Sequence, residues 1–288
     1  DHDFSAYHLD ICFIDIGLEE HERQWLRDRN VIIKPYDDIR MFESLPSYFK
    51  NYNKSQIIRP FLPKIFPGYD IYMWSDTDIW FQKAEGVTRF LDFARDYAPK
   101  IAIVPTVDTS YQQLNYAHFR DENYGRFLQW MKIWYQTSFD ERTSIDLYGR
   151  ALFSSGIFAI HRDSDIWARW ANEFKTVFNR NYNDQPFALH VAEQSALNKV
   201  IYDTNAFIPV SSLFNYNCHI GNVKHDETRG KVVIGYPPFD ELAVIHLTYS
   251  SKFMPHYIEQ GLLYQTGTYL EPAERERLSG VKHYGEES

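Results

Sequence analysis

Cysteine, long apolar runs and clusters of basic residues are all scarce in this 288-residue chain. Its two cysteines, Cys12 and Cys218, exclude a disulfide-rich scaffold, and their spacing matches no metal-binding motif. We expect both to be buried free thiols in a reducing compartment. No apolar run approaches the roughly 18–20 residues that cross a membrane, and no secretory signal opens the chain. These absences predict a cytoplasmic protein without a membrane span, with peripheral attachment to a membrane left open.

The net charge of −9 comes from 30 basic and 39 acidic residues, and no block of five or more basic residues occurs. This balance argues against a nucleic-acid partner, because such a partner requires a positive surface. A small ligand that carries phosphate stays compatible with the charge if a metal ion mediates the contact.

Aromatic residues are the abundant class, with 21 Tyr, 21 Phe and 7 Trp making up 17% of the chain. Aromatic rings stack on the apolar faces of sugars, but they also fill cores, which is the better prediction from composition alone. The length fits one large domain or two small ones. Since no internal boundary is visible, we predict one domain over residues 1–264 and a polar C-terminal extension over residues 265–288.

Strand and helix patterns alternate along the chain, which predicts an α/β domain with a mostly parallel central sheet flanked by helices. The predicted strands cover residues 8–16, 31–33, 70–74, 101–104, 153–160, 232–234 and 243–246. The predicted helices cover residues 19–29, 54–65, 120–134, 165–178 and 192–201. Pro60 and Pro63 interrupt the second of these helices.

The triplet Asp76-Thr77-Asp78 is the most informative local feature of the sequence. Its two carboxylates directly follow an apolar strand and project from one point. Ligands of open α/β sheets bind beyond the carboxyl ends of the strands. Mg²⁺ and Mn²⁺ prefer oxygen ligands of this kind and would connect them to a diphosphate. A turn with capping acids is the alternative explanation for so short a motif.

A similar arrangement of an apolar strand followed by a metal-ligating side chain occurs near the end of the sequence. His246 ends the apolar run 242–245, and Lys252 follows six residues later. A histidine completes a metal site that has two carboxylates, and a lysine meets a phosphate as a point charge. Arg59, upstream of the triplet, is a candidate partner for a phosphate or a carboxylate, with a structural salt bridge as the alternative.

These residues belong to a series of five blocks that resembles glycosyltransferase family 8 and its relatives, which share the GT-A nucleotide-diphospho-sugar transferase fold. The blocks occur in the family's order over roughly residues 9–255 of the chain. They are RPFLPKIFPGYDIYMWSDTDIWFQ at 59–82, FSSGIF at 153–158, EQSALN at 193–198, NYN at 215–217 and the segment from His246 to Lys252. The resemblance implies a single GT-A-like domain.

The resemblance also implies a metal centre and a diphosphate site. Asp76, Asp78 and His246 would hold Mn²⁺ or Mg²⁺, and Asp76 would also touch the nucleotide ribose. Lys252 and Arg59 would neutralise the diphosphate of the donor. A metal ion with such cations is what the departure of a diphosphate requires.

The remaining implied residues surround the donor sugar. Ser155 and Gly156 lie in the block that lines this sugar, and Glu193 would hydrogen-bond its hydroxyl groups. Gln194 would face the anomeric carbon on the side away from the leaving group. An amide is a poor nucleophile, so Gln194 favours same-face attack, which is a matter of positioning, over a covalent intermediate.

The implied function is that of a metal-dependent, retaining glycosyltransferase of the hexosyltransferase type. It would move a sugar from a nucleotide-diphospho-sugar, with a UDP-sugar favoured, to a hydroxyl group of the acceptor. The acceptor would be a glycan, a lipid-linked glycan or a protein, which suggests a role in polysaccharide biosynthesis.

Several residues depart from the family pattern. Ser154 replaces an Asn, Tyr249 replaces a Gly, and Phe253-Met254 replace Pro-Trp. The chain begins where the family's second strand would lie, so we expect the first βα unit to be missing or truncated. These departures favour an alternative function, a catalytically weak GT-A domain that binds carbohydrate or a partner. A metal-dependent phosphoesterase or pyrophosphorylase ranks last, because no Gly-rich phosphate loop is present.

Overall fold

The computed structural model describes residues 4–39, 53–108, 110–111, 122–180 and 191–248. Its helices are α1 (Glu20–Arg27), α2 (Asn53–Ile58), α3 (Leu62–Ile65), α4 (Glu85–Asp96), α5 (Glu122–Ser138), α6 (Glu141–Tyr148), α7 (Ile166–Phe178) and α8 (Ala192–Thr204). Its strands are β1 (Cys12–Asp15), β2 (Ile32–Pro35), β3 (Ile71–Ser75), β4 (Ile79–Phe81), β5 (Ile101–Pro105), β6 (Phe153–His161), β7 (Phe207–Pro209), β8 (Tyr216–Asn217), β9 (Val223–Asp226), β10 (Lys231–Ile234) and β11 (Val244–His246). The predicted mixed α/β class is confirmed, whereas the predicted extension over 265–288 lies outside the described residues.

The first unit of the chain is a βαβ motif in which β1 and β2 pair in parallel. A capping box starts α1, since the Glu19 side chain accepts from the N–H of Glu22 and the Glu22 side chain accepts from the N–H of Glu19. The buried carboxylate of Asp15 shapes the turn after β1, because it accepts hydrogen bonds from the backbone N–H groups of Gly17 and Leu18.

The central sheet has the strand order β3-β6-β5-β7. Three of its strands run in one direction, but β6 runs against both β3 and β5, so β5–β7 is the parallel pair. This arrangement differs from the expected mostly parallel sheet. The reason is the connection from β5 to β6, which contains α5 and α6. It returns the chain to the end of β5 at which it left the sheet, so that Phe153, the first residue of β6, pairs with Pro105, the last residue of β5.

Helices α7 and α8 pack on the central sheet and bury most of their apolar stripes. Trp170 and Phe174 of α7 and Phe158 of β6 are fully buried in this core. Phe158 meets Trp170 edge to face, and Phe174 meets Phe178 in the same way. Such aromatic packing supports the prediction that most rings fill the core. The predicted helix at 54–65 divides into α2, a 3-10 turn at Arg59–Phe61 and α3, because two prolines interrupt the helical hydrogen bonds.

A second sheet places the late strands β8 and β11 near the C-terminal end of β3. Its order is β4-β11-β8, with β4 antiparallel and β8 parallel to β11. Buried Gln82 joins this sheet to the hairpin β9–β10: its amide donates to the carbonyls of Val232 and Leu242 at 3.0 and 2.6 Å and accepts from the Val232 N–H at 2.7 Å. In the part of the chain that the structure describes, no helix combines the length and apolarity needed to cross a membrane.

Candidate metal centre

The two acids of the triplet lie in the tight turn between β3 and β4, where the two sheets meet. The Asp76 N–H donates to the carbonyl of Gly156 on β6 at 2.8 Å. The carbonyl of Asp78 accepts from the N–H of Leu247, just beyond β11, at 3.0 Å. Each acid is therefore fixed by a different sheet, and the position of both carboxylates is set by backbone contacts.

Asp76, Asp78 and His246 come together at this junction. One ligand atom from each lies within 4.8 Å of the other two. His246 Nε2 is 3.3 Å from Asp78 Oδ1, with the histidine side chain 6% exposed and the aspartate side chain 24% exposed. Carboxylate oxygens and an imidazole nitrogen, partly open to solvent, form a donor set that suits Mn²⁺.

The ring of His246 is held in one orientation by Asn215. Its Nδ1 lies 2.8 Å from Asn215 Oδ1, and both side chains are buried. An acceptor at Nδ1 favours the tautomer whose Nε2 is available as a metal ligand, and Nε2 is the ring nitrogen that faces Asp78. A hydrogen bond of this kind orients metal-ligating histidines in general.

Gly156 leaves the space beside the cluster open. A Cβ built on Gly156 would lie 2.6 Å from His246 Cε1 and 3.1 Å from Asp76 Oδ2. The first distance is shorter than real Cβ contacts and the second is tighter than most of them, so any other residue would displace the histidine and press on the carboxylate. The absence of a side chain at this position is therefore part of the geometry of the centre.

Arg59 joins the centre to the helix α8. Its guanidinium contacts Asp76 Oδ1 at 2.6 Å and Glu193 Oε2 at 2.8 Å, and it donates to Ser155 Oγ at 2.7 Å. The side chain is 6% exposed, and its ring partner is Trp74, whose centroid lies 5.2 Å from Cζ. The structural salt bridge raised as the alternative for Arg59 is thus present, in the site itself.

Trp74 is a site residue that its apolar context concealed. It is half-buried on β3 and donates its indole N–H to Asp76 Oδ1 at 2.7 Å. Together with Arg59 it occupies one oxygen of Asp76, which leaves Oδ2 on the side of Gly156. The sequence signal that could have identified Trp74 is its position two residues before Asp76, on the same side of an extended chain.

Glu193 is a buried carboxylate with one oxygen unpaired. Oε2 accepts from Arg59 and from Ser155 Oγ, whereas Oε1 is buried and has no hydrogen-bond partner among the described residues. Burial raises the pKa of Glu193 to about 7, although Arg59 and Ser155 act in the opposite direction. Such a group is costly to the fold, and it offers a hydrogen-bond site to a ligand hydroxyl.

Gln194 lies beside the same serine, on the first turn of α8. Its Oε1 is 3.3 Å from Ser155 Oγ and 3.5 Å from the Ser155 N–H. The helix is fixed to β6 by Asn198, which is fully buried and exchanges two hydrogen bonds with the backbone of Phe153, at 2.8 and 2.9 Å. Sequence reasoning placed Asn198 in a motif block without giving it this role.

The structure thus brings together eight of the nine predicted site residues around one junction. They are Arg59, Asp76, Asp78, Ser155, Gly156, Glu193, Gln194 and His246. The ninth, Lys252, lies outside the described residues, as do Tyr249 and Phe253-Met254.

No protein-family model matches the chain, and no curated protein matches it in sequence. Among solved structures it is similar to the apo form of mouse xyloside xylosyltransferase 1, with 12% identity, a TM-score of 0.46, and coverage of 84% of this chain and 85% of that one. It is also similar to the apo structure of the bifunctional glycosyltransferase WbbM, with 14% identity and a TM-score of 0.47. The match covers 83% of this chain but 46% of WbbM. At this level of similarity, function has to be inferred from the residues of the site.

Proposed function

We propose that the chain is a metal-dependent glycosyltransferase that moves a sugar from a nucleotide-diphospho-sugar to a hydroxyl acceptor. The observation that carries the proposal is the juxtaposition of Asp76, Asp78 and His246 within 4.8 Å. His246 is far in sequence from Asp76 and Asp78, and the three meet where the two sheets join. The alternative explanations, a turn with capping acids and a hydrogen-bonded histidine at a strand end, do not require that the three groups meet.

The centre fits a divalent ion in two independent ways. The donors are two carboxylates and an imidazole whose Nδ1 is bound to Asn215, so that Nε2 is available as a ligand. In addition, the absence of a side chain at Gly156 lets His246 approach β6 closely, since a Cβ there would lie 2.6 Å from His246 Cε1. A bound Mn²⁺ or Mg²⁺ would supply charge stabilisation for the departing diphosphate.

Arg59 supports the reaction by holding two carboxylates in place. Its charge is shared between Asp76 and Glu193, at 2.6 and 2.8 Å. This pairing fixes the metal-ligand acid relative to the acid proposed to contact the sugar. Contact of Arg59 with the diphosphate remains a prediction, as does the corresponding role of Lys252.

Glu193 and Gln194 are proposed to face the donor sugar. Oε1 of Glu193 would bind a sugar hydroxyl, and this hydrogen bond would satisfy a buried group that has no partner in the described part of the chain. Gln194 lies one residue further along α8, next to the same Ser155. Since its amide is a poor nucleophile, we favour same-face attack with retention, in which these side chains orient the anomeric carbon.

The donor, the acceptor and the hexosyl specificity remain proposals from the family resemblance. We favour a UDP-sugar as donor and a glycan, a lipid-linked glycan or a protein as acceptor. A carbohydrate-binding domain without transfer activity is the second candidate. It is favoured by the engagement of Asp76 Oδ1 with both Arg59 and Trp74, which occupies one oxygen of a proposed metal ligand.

Calorimetric titration of UDP and GDP, each with and without Mn²⁺, tests the proposal. The wild type is compared with Asp78→Ala and with Asp163→Ala, the same change at an exposed aspartate beyond the opposite end of β6. We expect one nucleotide to bind only with Mn²⁺, and Asp78→Ala alone to lose this binding. Hydrolysis or transfer of the matching nucleotide sugar then separates the enzyme from the binding domain. Absence of any metal-dependent nucleotide binding by the wild type would overturn the transferase proposal.

A further inference from the structure

A second candidate site is a cavity of about 380 Å³. Its walls come from the segment after β5, the 3-10 turn at Ser212–Phe214 and the loop between β10 and β11. The volume falls within the range of roughly 300–1,000 Å³ that is typical of small-molecule sites. None of the residues already assigned to the metal centre lines it.

The chemistry of the walls selects a class of ligand. Among the described residues that line the cavity there is no lysine or arginine, while the carboxylates of Asp108 and Asp240 are present, so that an anion is disfavoured. Three serine hydroxyls and the exposed Asp240 offer hydrogen bonds. The 39%-exposed ring of Tyr236, followed by Pro237 and Pro238, adds a rigid apolar surface.

The polar wall is fixed before any ligand arrives. Asp108 accepts hydrogen bonds from the N–H and the hydroxyl of Ser110, at 2.8 and 2.6 Å, and from the hydroxyl of Ser212. It thereby joins the segment after β5 to the segment after β7. A preorganised wall lowers the entropic cost of binding.

The loop that carries Tyr236 is also held in place, although its residues are exposed. Its backbone closes through hydrogen bonds from the N–H of Phe239 to Tyr236 and from the N–H of Ile234 to Asp240, at 2.8 and 2.9 Å. Lys224 lies 3.6 Å from the centre of the Phe239 ring. The Tyr236 ring is therefore presented by a structured loop.

Two buried tyrosines connect the cavity wall to the strand that pairs with His246. Ser110 Oγ lies 2.7 Å from the hydroxyl of Tyr216, whose ring is 5.2 Å from that of Tyr111. The Tyr111 hydroxyl in turn accepts from the N–H of Asn217, the strand partner of His246. The residues that line the cavity are nevertheless a different set from those of the metal centre.

We propose that this cavity binds a neutral saccharide, with the apolar face of one sugar ring on Tyr236 and a pair of its hydroxyl groups on Asp240. Neutral sugars combine a hydroxyl edge with an apolar face, and aromatic side chains with one polar end suit such ligands. The inference does not rest on the proposed transferase function, because it uses none of the residues of the metal centre.

Saturation-transfer NMR tests the inference on the wild-type chain without metal or nucleotide. The probes are the methyl glycosides of glucose, galactose, mannose and xylose, together with maltose, cellobiose and lactose. Binding is then measured for Tyr236→Ala and Asp240→Asn, with Tyr97→Ala as the matched control, since Tyr97 is 50% exposed at the end of α4. We expect at least one probe to show saturation transfer with the wild type. Its affinity should fall by about tenfold in Tyr236→Ala and in Asp240→Asn, and should be unchanged in Tyr97→Ala.

Three outcomes would overturn the inference. The first is the absence of transfer to every probe. The second is transfer that persists in both variants, or transfer that UDP with Mn²⁺ abolishes. In the latter case the sugar would lie in the metal centre. The third is calorimetric binding of Ca²⁺ that depends on Asp240 while no sugar binds. Failure of nucleotide binding leaves these results unaffected, so the two proposals fail independently.

Discussion

His246 Nδ1 lies 2.8 Å from Asn215 Oδ1, and its Nε2 faces Asp78, 3.3 Å away. Asn215 is 3% exposed and His246 5%, which means that water cannot replace this hydrogen bond easily. Asn215 lies two residues before Asn217, the strand partner of His246. The orientation of the metal centre therefore depends on the segment that leads into β8 as well as on β3 and β11.

Replacing Asn215 with Leu should weaken Mn²⁺ binding by about 10–100-fold, the usual loss when such an orienting partner is removed. Asn215→Asp retains an oxygen acceptor and should recover most of the affinity. Electron paramagnetic resonance of free Mn²⁺ measures both. Wild-type affinity in Asn215→Leu would contradict the role assigned to Asn215.

A methyl group at position 156 should disable the centre without unfolding the chain. The added Cβ would lie 2.6 Å from His246 Cε1, so Gly156→Ala must displace the imidazole. Gly149→Ala is the matched control, because nothing lies within 4 Å of its added Cβ. We expect Gly156→Ala to lose Mn²⁺-dependent nucleotide binding and Gly149→Ala to keep it, with thermal unfolding recorded for both. Equal binding in the two variants would show that His246 adapts.

Removal of Arg59 should destabilise the fold strongly. Arg59→Met leaves the carboxylates of Asp76 and Glu193 without their buried cation, which costs about 3–5 kcal/mol in comparable sites. The pair Arg162–Asp70 is exposed, so Arg162→Met should change the free energy of unfolding by about 1 kcal/mol or less. Urea unfolding measures both variants.

The double variant Arg59→Met, Glu193→Gln tests the electrostatic origin of that loss. Neutralising Glu193 removes one of the two unpaired charges, so the double variant should be more stable than Arg59→Met alone. A double variant that is less stable than Arg59→Met would show that packing, not charge, dominates.

The sequence predicted elements where a local pattern determines structure. The spacing of Ile166, Trp170 and Phe174 predicts a helix over 165–178, and α7 spans Ile166–Phe178. The helix α4 was missed, although Val87, Phe90, Leu91 and Ala94 carry helical spacing. The direction of β6 was not predictable in this way, because it depends on the path of α5 and α6 between strands and not on the residues of β6.

For the site, the apolar strands that precede Asp76 and His246 place both residues at strand ends, and the family resemblance added the prediction that they share a metal. The contacts that orient them depend on side-chain directions between distant segments. Asn215 is 31 residues from His246, and Glu193 is 134 residues from Arg59. No spacing within one segment encodes such contacts, so these pairs could be identified only in the folded structure.

Asp15 should make the stability of the chain depend on pH. Burial raises the pKa of this carboxyl, but hydrogen bonds from Leu18, Arg23 and Gly17 outweigh that effect and hold the pKa below its usual value. A folded-state pKa below the unfolded value of about 3.9 means that the stabilisation is complete above this pH and disappears as the pH falls through the folded-state pKa. Asp15→Asn should therefore cost about 1–3 kcal/mol near neutral pH and much less under acid conditions. Urea unfolding of the wild type and Asp15→Asn at several pH values measures this difference, and a cost that stays constant down to acid pH would assign the effect to shape and not to charge.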